Sequence, residues 1–151
     1  MCALSGLAEL PVPRNQLRVV VGVDGSEAGA KALEWAIGYA HQSPAVIDVV
    51  TAWTFPMVEG YALTHTVGEV EDMAREVVTA AMSHVAYEAP DIVVRGETAD
   101  GEPGRVLVDA AQGADTLVVG ARGESGLHRL FLGSVSTYCA KNASCSVMVV
   151  R

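Results

Sequence analysis

From Gly120 the sequence reads Gly120, two residues, Gly123, nine residues, then Gly133-Ser134. Glycines let a backbone approach a bound group closely and adopt positive φ, which other residues rarely do. A Gly-Ser pair opening a helix adds a hydroxyl to that helix's free N–H groups and positive dipole end. These are the features of a phosphate cradle. Arg122 lies inside the loop and can neutralise phosphate charge. His128 and Arg129 follow and read equally well as solvated loop residues. The plain alternative is that these glycines only shape a strand-to-helix turn. The stretch is neither a Walker loop, which needs Gly-Lys-Ser/Thr, nor a GxGxxG element.

A second chemical feature is Asp24, in Gly22-Val23-Asp24-Gly25-Ser26. It places a carboxylate at the tip of an apolar run. No pair of carboxylates is recognisable for acid–base work, and no G-x-S-x-G elbow occurs. His41 and His65 lack partners at metal-ligand spacing. His84 falls on a helix's apolar stripe and reads as a satisfied core-edge histidine. Glu69, Glu71 and Asp72 suit the first turn of a helix. The three cysteines, Cys2, Cys139 and Cys145, form no CxxC pair and no disulfide framework. Cys139 and Cys145 read as ordinary buried or half-buried thiols.

Alternating strands and helices must position these groups. Residues 18–24 are a nearly continuous β-branched run, as in a strand buried on both faces. Leu33, Ala36, Ile37 and Ala40 then trace a helical stripe, ended by Ser43-Pro44. Residues 46–53 are a second strand. A long connection over 54–67 leads to a helix with Val70, Met73, Ala74, Val77, Ala81, His84 and Val85 on one face. Residues 92–97 are a third strand, and 98–104 a loop whose Pro103 suits a helix's first turn. That helix runs to about Gln112, with Val106, Leu107, Ala110 and Ala111 inward. Residues 116–120 are the fourth strand, 134–142 a short helix and 146–150 the fifth strand. Trp35 and Tyr39, at i and i+4, are expected to pack. Five apolar strands separated by helices predict a doubly wound parallel sheet with helices on both faces. Ligands on such sheets bind beyond the strands' carboxyl ends, where the winding reverses. If the first and fourth strands are neighbours there, Asp24 and the glycine loop face one crevice.

The chain has 151 residues, half of them apolar and 19% charged, the balance of one compact domain. Residues 1–16 read as a loose tail ahead of a domain over 17–151. The net charge of −8 argues against a nucleic-acid partner. No apolar run is long enough for a membrane span, and the start lacks the basic region of a secretory signal. The cysteine usage suits the cytoplasm.

The G-2x-G-9x-G-(S/T) spacing resembles the element of the universal stress protein family, in its ATP-binding branch. "VVVGVDGSEAGAKALEWA" is similar to the family's opening strand, turn and helix. "DGEPGRVLVDAAQGADTLVVGARGESG" and "LGSVSTYCAKNASCSVMVVR" are similar to its later elements, so the resemblance covers residues 17–151. One departure is Ser144 and Ser146, where the family usually has prolines flanking the cysteine.

The resemblance implies strand order 3-2-1-4-5 in a Rossmann-like fold of the adenine nucleotide alpha hydrolase type. It implies ATP, with Mg2+ or Mn2+ held through the phosphates. Asp24 would lie by adenine and ribose, and Ala52 or Trp53 at the adenine edge. Val119, Gly120, Arg122 and Gly123 would line ribose and phosphates, with Gly133, Ser134 and Val135 cradling the phosphates. It further implies a homodimer through the last strand and a regulatory role toward a protein partner. The competing expectations are a slow ATPase or nucleotide transferase on the same fold, and an interaction scaffold that binds no nucleotide.

Overall fold

The computed structural model describes Leu7 and residues 10–55, 65–121 and 132–151. Its elements alternate as β1 (Leu17–Gly22), α1 (Glu27–Gln42), β2 (Ala45–Trp53), α2 (Val67–Glu88), β3 (Val94–Asp100), α3 (Pro103–Ala110), β4 (Thr116–Gly120), α4 (Ser134–Asn142) and β5 (Ser146–Val150). The strands form one parallel sheet in the order β3-β2-β1-β4-β5. The expected architecture and strand order are therefore both present. Among the described residues no helix is long and apolar enough to cross a membrane.

Each central strand feeds two cores because its side chains alternate across the sheet. Val19 and Val21 of β1 pack with Ile47, Val49 and the inward stripe of α1, while Val20 packs with Val50, Val106, Leu107 and Leu117 on the α3 side. Val19, Val20 and Val21 are all fully buried, which is why β1 reads as an unbroken apolar run. Leu33, Ala36, Ile37 and Ala40 are buried as their spacing predicts. Trp35 and Tyr39 stack with centroids 5.2 Å apart. Leu7, within the stretch read as a tail, is 6% exposed in the α3-side core.

Three expectations shift. β3 begins at Val94 rather than at residue 92 and runs on to Asp100. Pairing with the long β2 carries Thr98, Ala99 and Asp100 into the sheet, opposite Thr51, Ala52 and Trp53, although their types favour a loop. The buried face of α2 shifts in part: Ala74 and Val85 are buried and Val77 and Ala81 pack against the core as expected, but Val78 is buried as well and Met73 is 56% exposed. The cause is Gly96 of β3, where a Cβ would collide with Val78 and Met82, so these two side chains occupy the space it leaves. α3 stops at Ala110, because the following turn places Gly113 at φ +71°.

Two charged strand residues are buried in a way their spacing does not announce. Asp48 is fully buried. Arg18 Nε donates to its Oδ2 at 2.7 Å, and Arg95 donates Nε to Oδ1 at 2.5 Å and Nη2 to Oδ2 at 2.7 Å. Arg18 also reaches the Gln112 and Ala110 carbonyls at 2.8 and 2.9 Å. Its guanidinium thus satisfies carbonyls at the C-terminal end of α3, where positive charge is favoured.

Candidate functional site

β1 sits at the point where the sheet turns back on itself, with β2 on one side and β4 on the other. The carboxyl ends of these three strands border a crevice that is open to solvent. Its lining includes Asp24 from the β1–α1 turn, Ala52 from β2, Val119 and Gly120 from β4, and Val135 from α4. Five of the ten residues singled out from the sequence therefore meet in one place. Pro103 and Leu107 close the α3 side.

Asp24 lies two residues beyond the end of β1, in the turn rather than at the strand tip. Gly25 follows with φ +82°, and Ser26 caps α1 by accepting the Gly29 N–H at 3.2 Å. Asp24 is exposed. Its Oδ1 accepts the Ser26 N–H at 3.0 Å and the Ser26 hydroxyl, and among the described residues Oδ2 has no partner. That oxygen can accept hydrogen bonds from a ligand's hydroxyl groups.

Packing alone already requires glycine at position 120. It is not among the positive-φ glycines. A Cβ there would lie 2.7 Å from the backbone carbonyl of Ala28. The first turn of α1 passes directly over the end of β4, and only glycine admits that approach.

The start of α4 is pinned to the end of β4. The Gly133 N–H donates to the Ala121 carbonyl at 2.7 Å. The buried Ser136 hydroxyl lies 3.0 Å from the Gly133 carbonyl and 3.3 Å from that of Ala121. Among the described residues no side chain caps α4, so its first-turn N–H groups can serve an anion. Ser134 is exposed and lines an adjoining groove with Glu102, Gly104, Arg105 and Tyr138, and this groove shares Val135 with the crevice. Trp53 does not line the crevice, because strand alternation turns its side chain to the face opposite Ala52. Arg122 and Gly123 lie outside the described residues, as do His128 and Arg129.

The other tempting residues have structural partners. His84 pairs with Glu34 of α1. Glu69 completes a capping box with Thr66 at the start of α2, and Glu71 pairs with Arg75. Cys139 is fully buried, and burial, aided by the neighbouring Cys145, pushes its thiol up to about 11. Burial raises Cys145 also. Neither is an activated thiolate near neutral pH.

A model of the universal stress protein family matches residues 17–151. The chain belongs to this family. The universal stress protein YxiE of Bacillus subtilis (strain 168) is 30% identical over 145 residues, covering 89% of this chain and 98% of that one. A universal stress protein solved in complex with cAMP is 27% identical, with a TM-score of 0.66 over 91% of this chain and 98% of the other. The universal stress protein from Archaeoglobus fulgidus solved with dAMP shares the fold, at a TM-score of 0.68 and 21% identity over 91% of this chain and 99% of that one. Sequence reasoning passed over several residues that build the universal stress protein crevice here, among them Gly22, Gly29, Val50 and Leu107. They come from β1, α1, β2 and α3: the β1–β2 pairing sets Gly22 opposite Val50, and the Leu107 side chain packs over Gly22.

Proposed function

We propose that this universal stress protein binds ATP in the crevice at the ends of β1, β2 and β4, and that the bound state acts as a switch toward a protein partner in the cytoplasm. The observation that carries the reading is the convergence of Asp24, Ala52, Val119, Gly120 and Val135 on one crevice at the point where strand order reverses. The relative in complex with cAMP supports an adenine nucleotide as the ligand class. In this reading residues 17–151 are the nucleotide-binding unit. The base packs along Ala52 and Val50, the ribose meets Asp24, and the phosphates extend toward Gly133, Ser134 and Val135, with Arg122 and Gly123 completing the loop.

The protein carries net charge −8, so local donors must hold the phosphates. The first-turn N–H groups of α4 supply them, and Arg105 beside Ser134 adds positive charge in the adjoining groove. Among the described residues no group of three or more His, Cys, Asp or Glu side chains is placed to hold a metal. Mg2+ or Mn2+ would therefore enter with the phosphates, whose charge it screens. Extracting nucleotide from purified protein and identifying it by mass spectrometry tests the reading. Co-purified ATP is the expected result; a different class of ligand at stoichiometric amounts overturns it.

The same residues favour binding over turnover. Among the described crevice residues Asp24 carries the one carboxylate, and the reading gives it to the ribose, so hydrolysis is expected well below the roughly 1 s⁻¹ at the low end of enzyme rates. A phosphate-release assay checks this. Fast, metal-dependent release that disappears in Asp24→Ala shifts the reading to an ATPase.

The homodimer belongs to the same proposal. β5 is the outermost strand beside β4, and Met148 on it is 36% exposed. An open edge offers a row of backbone donors and acceptors, and antiparallel pairing with a second copy satisfies them by two-fold symmetry. The Val150 carbonyl accepts the Ala121 N–H beside β4, so alternation turns the backbone groups of Val147 and Val149 outward, and Val149→Pro removes an outward donor and obstructs that edge. Light scattering is expected to show a dimer for the wild type and a folded monomer for the variant. A wild-type monomer at micromolar concentration contradicts the pairing.

A further inference from the structure

Thr51 belongs to no motif and is absent from the crevice lining, yet it is 4% exposed. Its hydroxyl donates to the Val23 carbonyl at 2.9 Å. Regular β1–β2 pairing ends at Gly22 opposite Val50, and one further bond follows, from the Val23 N–H to the Val50 carbonyl at 3.0 Å. A parallel ladder carried one step on would bring the Ala52 N–H to the Val23 carbonyl; here the Thr51 hydroxyl bonds it. Both polar groups of Val23 are thereby held after the strand has ended.

The next residue is Asp24. Its backbone is anchored on one side through Val23 and Thr51. Its carboxylate is held on the other side by the N–H and hydroxyl of Ser26. Gly29 completes the fit, since a Cβ there would lie 3.0 Å from Asp24 Oδ1 and 3.3 Å from the Asp24 N. The turn is clamped from β2 and from the first turn of α1, and the carboxylate stands between the clamps.

We infer that Thr51 is a positioning residue for nucleotide binding, acting through Asp24: its hydroxyl fixes the Val23–Asp24 peptide so that the carboxylate meets the ribose hydroxyls of the bound nucleotide. The inference rests on the proposed site. It distinguishes Thr51 from core neighbours such as Val49, whose side chains only pack. Thr51→Val removes the hydroxyl at nearly constant size, and Thr51→Ser keeps it.

The test combines ATP titration by calorimetry with amide hydrogen exchange of the nucleotide-free protein. Thr51→Val is expected to weaken ATP binding about five- to tenfold, the range of one hydrogen bond's net worth, while Thr51→Ser stays within about twofold of wild type. In an Asp24→Ala background Thr51→Val should add less than about twofold, because residues acting as one unit are not additive. Exchange at Gly25 and Ser26 should quicken in Thr51→Val and not in Thr51→Ser. A folded Thr51→Val protein with wild-type affinity overturns the inference. So does a penalty of equal size in the Asp24→Ala background, which would place its action elsewhere. A wild type that binds no adenine nucleotide overturns the proposed function instead. The exchange is then read alone: quickening upholds the anchoring of Asp24 by Thr51, and no change overturns it.

Discussion

Asp48→Ala is expected to lower the melting temperature by roughly 10 °C. The carboxylate is fully buried and accepts three hydrogen bonds from two arginines, whose side chains are 7% and 13% exposed. Removing it leaves both guanidinium groups deep in the fold with their charge uncompensated. Breaking a buried ion pair in this way costs about 3–5 kcal/mol, and in a domain of this size each kcal/mol moves the midpoint by roughly 2–4 °C. The damage reaches α3, because Arg18 holds the Ala110 and Gln112 carbonyls through the same guanidinium. Replacing Asp48, Arg18 and Arg95 together by Leu, Met and Met is expected to recover much of the loss, since the desolvation of all three charges disappears with them. Thermal unfolding followed by circular dichroism checks both variants. A shift below about 3 °C for Asp48→Ala contradicts the role given to the cluster.

Ala52→Phe is expected to weaken ATP binding on the order of a hundredfold, about 2.7 kcal/mol, with little change in melting temperature. Ala52 is half-buried at the carboxyl end of β2 and forms part of the crevice wall. A ring in its place fills the space proposed for the base, and a pocket that buries most of its ligand cannot tolerate that. The fold tolerates it because the new ring enters open crevice rather than packed core. Trp53→Ala is the contrast: its side chain faces away from the crevice, and affinity is expected to stay within about threefold. Calorimetry on both variants decides. Equal loss in both, or in neither, contradicts the placement of the base against Ala52.

Much of this was legible in the sequence because the strands buried on both faces carry unbroken apolar runs. β4, α4 and β5 fall at residues 116–120, 134–142 and 146–150, where glycine, serine and β-branched residues mark their ends. The rest depended on register. Asp48 lies within "VIDVVTAW" and Arg18 opens "RVVVGVD", and neither stretch hints at a charge pair. They meet because Val20 pairs with Asp48, which puts Arg18 diagonally across from it, and because Arg95 pairs with Asp48 directly. β3 was misplaced for the same reason: Thr98, Ala99 and Asp100 have weak strand preference and owe their conformation to the length of β2.

The site divides along the same line. Gly120 and Asp24 stood out by type and spacing, and contact with Ala28 alone already requires the glycine, without positive φ. The choice between Ala52 and Trp53 follows from strand alternation once β2 is placed. Thr51 and Ser136 act through single side-chain bonds to backbone carbonyls 28 and 15 residues away. Such bonds leave no periodicity and no spacing to read.

Titrating Mg2+ and ATP into nucleotide-stripped protein in a calorimeter tests most directly whether the crevice at the ends of β1, β2 and β4 is an adenine-nucleotide site. One site per chain is expected, with a dissociation constant near micromolar, about −8 kcal/mol, and the binding heat is expected to vanish at the same concentrations in Ala52→Phe. No binding of ATP, AMP or cAMP up to millimolar concentration, or ATP binding unchanged in Ala52→Phe, would contradict it.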